Sequence, residues 1–133
     1  MLYTKNKDLT SITIPNGIIT ISSSLFESCT RLNTVIIPNG VTTIGNFAFS
    51  RCTSLKKVVI PDSVTTINFG AFAECREILI FLGHTTMPSS LMQTQWYPES
   101  CSLFYYSETE PITKDNYWHY DESNNIVIWP IIE

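Results

Sequence analysis

Leu32-Asn33-Thr34-Val35-Ile36-Ile37-Pro38, with the run that follows it to Cys52, repeats its apolar positions 23 residues earlier and 23 residues later. Pro15, Pro38 and Pro61 share one place in that period. So do Phe26, Phe49 and Phe72, and Cys29, Cys52 and Cys75. A period of this length, carried by aliphatic positions, marks a chain built of stacked structural repeats.

The first copy runs Leu9, Ile12, Ile14, Pro15, Ile18, Ile21, Phe26 and Cys29. The second runs Leu32, Val35, Ile37, Pro38, Val41, Ile44, Phe49 and Cys52, and the third Leu55, Val58, Ile60, Pro61, Val64, Ile67, Phe72 and Cys75. A fourth opens with Ile78 and Phe81 and then departs, since Gly83 and His84 stand where Ile and Pro belong. Within one copy, Val35 and Ile37 alternate inward with period two, the signature of a short strand. Pro38 has no amide hydrogen for a ladder and ends that strand. Asn39-Gly40 and Asp62-Ser63 supply turn chemistry. Val41-Thr42-Thr43-Ile44 is β-branched and predicts an extended leg or a second short strand. The segment Asn46 to Cys52 turns the chain back, as a helical or 3₁₀ turn. One copy cannot bury its apolar face alone. Stacked copies can, with Leu on Leu, Phe on Phe and Cys on Cys at ~4.8 Å.

The spacing therefore predicts a right-handed leucine-rich-repeat solenoid with a 23-residue period and a parallel β-sheet, closed by an aromatic β-hairpin cap. Residues 1–84 hold three full repeats and one degraded repeat, and residues 85–133 form the cap. Ser90 to Trp96 reads as a short helix, and Ser102 to Tyr106 as a further strand of the sheet. Asn116 to Tyr120 and Asn125 to Trp129 flank Asp121-Glu122-Ser123-Asn124, a hairpin pattern. Met1 to Asp8 offers no polar cap. The sequence thus predicts either a crude extra strand there or further repeats ahead of this segment, and the second is the favoured expectation.

Composition narrows the function classes. Hydrophobic residues make up 44% of the 133 and charged residues 15%, which excludes a disordered chain. The net charge of −4 is uneven: from Cys101 onward there are six acids and one lysine. With no basic face, nucleic acid is not an expected partner. The longest apolar run, Ile78 to Leu82, is far short of the ~20 residues a spanning helix needs, so membrane insertion is not expected either.

The pattern Val35-x-Ile37-Pro38-x-x-Val41-Thr42-x-Ile44-Gly45-x-x-Ala48-Phe49-x-x-Cys52 resembles the BspA-like leucine-rich-repeat family. The resemblance covers residues 9–82, with several consecutive motif positions recurring three times. It implies a bacterial cell-surface or secreted protein that binds host or matrix proteins, or other cells. The first copy departs from the pattern with Ser22 at the place of Gly45 and Leu25 at that of Ala48, and the third has Asn68 at the glycine place. These departures bear on the local turn. From Thr85 onward no family motif is read from the residues.

No cofactor or metal is read from the residues. Cys29, Cys52 and Cys75 lack the Cys-x₂₋₄-Cys spacing of a zinc site and fit a stacked interior column. Cys101 lies outside that column and is the thiol expected to be accessible. His84 and His119 have no accompanying nucleophile motif, so no catalytic residues are assigned. Asp121 to Asn125 lacks the alternating ligands of a calcium loop and reads as a turn.

The outward strand positions are the candidate binding face. They form two columns, Ser11/Thr34/Lys57/Ile80 and Thr13/Ile36/Val59/Leu82, the second apolar in three of four places. Exposed together, Ile36, Val59 and Leu82 would make a contiguous patch of the kind solenoids use for recognition. The function expected is a non-catalytic protein-binding or adhesion module; the alternative is a structural spacer within a larger surface protein.

Overall fold

A computed structural model describes residues 8–111 and 116–129. The expectation of an extra strand over residues 1–8 falls outside the described residues, Asp8 apart. Each of the first three repeats contributes one strand to a front wall and one to a back wall. The front strands are β1 (Ser11–Thr13), β3 (Thr34–Ile36) and β5 (Lys57–Ile60). The back strands are β2 (Thr20–Ile21), β4 (Thr43–Ile44) and β6 (Thr66–Ile67). The front wall goes on through β7 (Leu79–Leu82), β8 (Ser102–Tyr106), β9 (Tyr117–Tyr120) and β10 (Ile126–Ile128).

The back strands pair in parallel with a constant offset, Ile21 to Ile44 to Ile67. On the front, β1 pairs in parallel with β3, which lies beside β5 across a break in the ladder. From β5 the order is β5-β7-β8-β9-β10, parallel except for the closing β9–β10 hairpin. The chain is the expected repeat solenoid with a 23-residue period. Between the walls lie the columns read from sequence. Phe26, Phe49 and Phe72 stack at 5.3 and 5.2 Å between ring centroids, fully buried. Each buried aliphatic or phenylalanine side chain stabilises the stack by roughly 1.5–3 kcal/mol.

The cysteine column has a specific role. The Sγ–H of Cys52 donates to the carbonyl oxygen of Phe26 at 3.2 Å, and that of Cys75 to Phe49 at 3.1 Å. Each thiol is a small apolar filler that also satisfies a buried carbonyl of the preceding coil. None of the four cysteines is in a disulfide.

The return segment is not helical. Ser24, Phe47 and Gly70 share one repeat place and all have left-handed φ, +59°, +56° and +69°. Ser28, Arg51 and Glu74 share another, at +63°, +61° and +62°. These two reversals swing alternate amides along the stack axis. Phe26, Phe49 and Phe72 donate to the carbonyls of Ala48, Ala71 and Trp96 at 2.7–2.8 Å. Hydrogen bonding between coils outbids the local helix because it satisfies the same groups and locks neighbours together.

The segment after Gly83 is more regular than its letters. Only Ser89–Leu91 forms a 3₁₀ turn, so the helix expected over Ser90 to Trp96 is a single turn. Trp96 is fully buried and closes the phenylalanine column edge-on against Phe72, at 6.1 Å. Its indole N–H donates to the Leu91 carbonyl at 2.8 Å. Cys101 lies outside the cysteine column but within the leucine one. Its amide donates to Pro98, three residues back, as those of Leu32, Leu55 and Ile78 donate to Cys29, Cys52 and Cys75. The hairpin turn is held by Asp121, whose carboxylate accepts the amides of Ser123 and Asn125, both at 2.8 Å. The Asn125 amide is the first cause that lowers the Asp121 pKa.

Candidate functional site

The fourth front strand is shifted by one residue from the sequence alignment. Ladder partners are Lys57–Leu79, Val58–Ile80, Val59–Phe81 and Ile60–Leu82. Three repeats leave two residues between the leucine position and the next inward one, as in Leu55-Lys56-Lys57-Val58. The fourth leaves only Leu79 between Ile78 and Ile80. Glu77, at φ +59°, sits just ahead of the shortened stretch. Because strand side chains alternate, a one-residue slip exchanges the two faces. Ile80 and Leu82 are therefore fully buried and do not belong to the outward columns; Leu79 and Phe81 take their places. Gly83 then stands at the place of Pro61 and donates the amide that proline lacks, to Ile60 at 2.7 Å.

The remaining candidate residues lie on the front face as expected. Ser11, Thr13, Thr34, Ile36 and Lys57 are exposed and Val59 is half-buried. Ile36 is 53% exposed.

Beyond Val59 the face rises into an aromatic wall. Phe81 stacks on Phe104 at 5.0 Å, and Trp118 packs edge-on against Phe81 at 5.6 Å. Tyr106 and Tyr120 flank Trp118 at 5.2 and 4.9 Å. Trp118 is buried, and its indole N–H donates to the Leu82 carbonyl at 2.7 Å. The tail thus folds over the fourth repeat, with Val59 half-buried at the foot of the aromatic wall and Ile36 left exposed.

Where shelf and wall meet there is a cleft of about 500 Å³. Pro38, Val59, Pro61 and Asp62 line one side; Tyr106, Trp118 and Tyr120 line the other. Gly83 lies in it, and a side chain there would come within 2.9 Å of the Asp62 amide nitrogen. Burial, then the charge of Glu108 and the neighbouring Tyr120 phenol, push the Tyr106 pKa up. The cleft offers apolar surface, two amphipathic phenols and one carboxylate, a composition suited to gripping a chain segment. His84, next to Gly83, bonds through Nε2 to the Val64 carbonyl at 2.8 Å, and its Nδ1 is buried without a hydrogen-bond partner. Among the described residues no three His, Cys, Asp or Glu side chains are grouped to hold a metal ion, and no helix is long and apolar enough to cross a membrane.

A family model for the BspA-type leucine-rich-repeat region, in six copies, matches residues 2–116. The chain belongs to that family. No curated protein and no solved structure gives a match. Leucine-rich-repeat domains of this kind are generally protein-interaction folds, and BspA-type repeats are typical of bacterial surface and secreted proteins.

The wall of the BspA-type domain is what sequence reading missed. Phe81, Phe104, Tyr106 and Trp118 come from three strands, of which β8 lies past the repeats legible by spacing but within the family match, and β9 lies past both. One signal was available: Phe81 suits the inward valine position of a tightly stacked repeat poorly, while Ile80 beside it suits it well.

Proposed function

We propose that this domain is a non-catalytic protein-binding module of a bacterial surface or secreted protein. In this reading it holds a segment of a host or cell-surface protein across the Ile36–Val59 shelf and into the aromatic cleft. Residues 1–84 form the recognition array and residues 85–133 close it. The observation that carries the reading is the run from exposed Ile36 through half-buried Val59 into a cleft walled by Tyr106, Trp118 and Tyr120. An exposed isoleucine beside an aromatic pocket stabilises no part of the fold, and its burial by a partner would contribute roughly 25 cal/mol per Å² of apolar surface. The family supports the module class, and its typical setting supports the surface location.

The test is a surface-plasmon panel of purified matrix and serum proteins against the chain and its Ile36→Asp, Val59→Asp and Tyr120→Ala variants. Saturable binding of at least one protein, lost in the aspartate variants while thermal melting stays unchanged, supports the reading. Binding that survives all three substitutions places recognition elsewhere and leaves these repeats the role of a spacer.

A further inference from the structure

The front wall outruns the back wall. Among the described residues the back sheet ends at β6, while the front sheet continues through β7, β8, β9 and β10. The rungs beyond the back wall have no second sheet to pack against, and after Ile80, Leu82 and Leu103 their core-facing positions turn aromatic. Tyr105 and Tyr117, partners in the β8–β9 ladder, stand where the full repeats carry valine or isoleucine. A cleft of about 540 Å³ opens there, separate in its lining residues from the one on the front face.

Its lining is of a different kind. Tyr97, Tyr105 and Tyr117 supply ring faces and phenol oxygens, Glu99 and Asn116 add a carboxylate and a carboxamide, and Cys101 and Ser102 complete the lining. Leu103 is the one aliphatic side chain in the lining. Tyr105 and Tyr117 lie 6.2 Å apart in a tilted pair. The Tyr105 pKa is raised first by burial and then by the Tyr97 and Tyr117 phenols, which places three phenol groups around one space. Among the described residues, none of the Tyr97, Tyr105, Tyr117, Glu99 and Asn116 side chains spends its polar end on a hydrogen bond within the chain.

We propose that this cleft is a binding site for a neutral glycan. A sugar ring presents apolar C–H faces to aromatic rings and a rim of hydroxyls to donors and acceptors, and this cleft holds both in quantity. The Glu99 carboxylate and the acidic composition from Cys101 onward disfavour anionic saccharides. A peptide would demand apolar side-chain pockets, which a lining with one leucine does not provide. The proposal is independent of the shelf on the front face, since it uses none of its residues.

The test is ligand-observed NMR followed by titration calorimetry on the full chain, with cellotriose, maltotriose and chitotriose as probes. Sialyllactose serves as the anionic control. Saturable binding of at least one neutral trisaccharide with Kd below about 10 mM is expected, with sialyllactose weaker. Tyr97→Ala, at an exposed ring, and Glu99→Gln are each expected to weaken binding at least about fivefold, while Ile36→Asp leaves it unchanged. Tyr117→Phe tests the phenol oxygen should Tyr97→Ala fail to fold. Absence of saturable binding by all three neutral probes overturns the proposal. So does binding that Tyr97→Ala or Tyr117→Phe together with Glu99→Gln leave unaltered, or that Ile36→Asp removes.

Discussion

The indole nitrogen of Trp118 and the carbonyl oxygen of Leu82 lie 2.7 Å apart, joining the closing hairpin to the shortened fourth strand across 36 residues of chain. The bond fixes the ring over Phe81 and between Tyr106 and Tyr120, so one contact sets both the seal on the array and the wall of the front cleft.

Removing that ring should cost much of the stability of the cap. Trp118→Ala is expected to destabilise the chain by about 3–5 kcal/mol, the usual range for a buried tryptophan. Trp118→Phe keeps the packing but strands the Leu82 carbonyl, a loss of about 1–3 kcal/mol. Urea denaturation followed by far-ultraviolet circular dichroism measures both. A Trp118→Phe variant as stable as the parent would mean that the hydrogen bond contributes nothing, and equal losses in the two variants would mean that the ring packing does not.

The one-residue slip in β7 gives opposite outcomes for neighbouring columns. Ile36→Asp, on the exposed shelf, should change stability by less than about 1 kcal/mol. Ile80→Asp and Leu82→Asp place a charge among fully buried side chains and should abolish cooperative folding at neutral pH. A thermal melt of the three variants is sufficient. Cooperative melting of Ile80→Asp near the parent temperature would contradict the register.

Gly70 carries two constraints and Gly17 one. A Cβ at Gly70 would sit 2.5 Å from the Phe47 ring, and its φ is +69°, whereas Gly17, at +95°, has open space around it. Gly17→Ala should cost about 1–2 kcal/mol from the backbone alone. Gly70→Ala should cost a further 1–3 kcal/mol or so from overpacking. Combining Gly70→Ala with Phe47→Ala should recover the second part, which a double-mutant cycle in urea would read out.

The buried thiols predict a stability loss in alkali. Burial pushes the Cys75 thiol from 9.0 up to about 12, with the Cys52 backbone and Lys56 pulling the other way, and burial raises Cys101 to about 11. The folded state thus holds protons that the unfolded chain releases above pH 9. The stability from this source is whole below pH 9 and falls between pH 9 and about 12, by up to roughly 1.4 kcal/mol per pH unit for Cys75. Half-buried Cys101 contributes less. Urea midpoints at pH 8 and pH 10.5 should differ in this direction, and Cys75→Ala should shrink the difference. In the native state at pH 8, an aromatic disulfide reagent should reach Cys101 ahead of Cys75.

The columns Leu32, Val35, Ile37, Phe49 and Cys52 were legible because each is repeated at fixed spacing and each is buried for the same reason in every coil. The turns were less so. The left-handed residues at Phe47 and Arg51 carry side chains that give no hint of positive φ, because hydrogen bonds to the next coil impose it. The outward columns held through Val59 and failed at Ile80 and Leu82, where counting by 23 misses a deleted residue that the ladder takes up. Trp96 was hidden by a segment that had lost its spacing but kept its place in the phenylalanine column. The aromatic wall depends on contacts among β7, β8 and β9 that no short-range pattern encodes.

The missing residue also bears on how the chain finds its fold. Near-identical coils invite misassembly, in which a segment docks one whole unit too early or too late with most apolar contacts preserved. Docked one coil early, the cap would meet Val59 where Phe81 belongs, so the stacking of Phe81 on Phe104 and on Trp118 would be lost. The 22-residue coil thereby gives the array a single addressable end. The same defect that hides the face from a reader of the sequence keeps the growing stack from closing in the wrong frame.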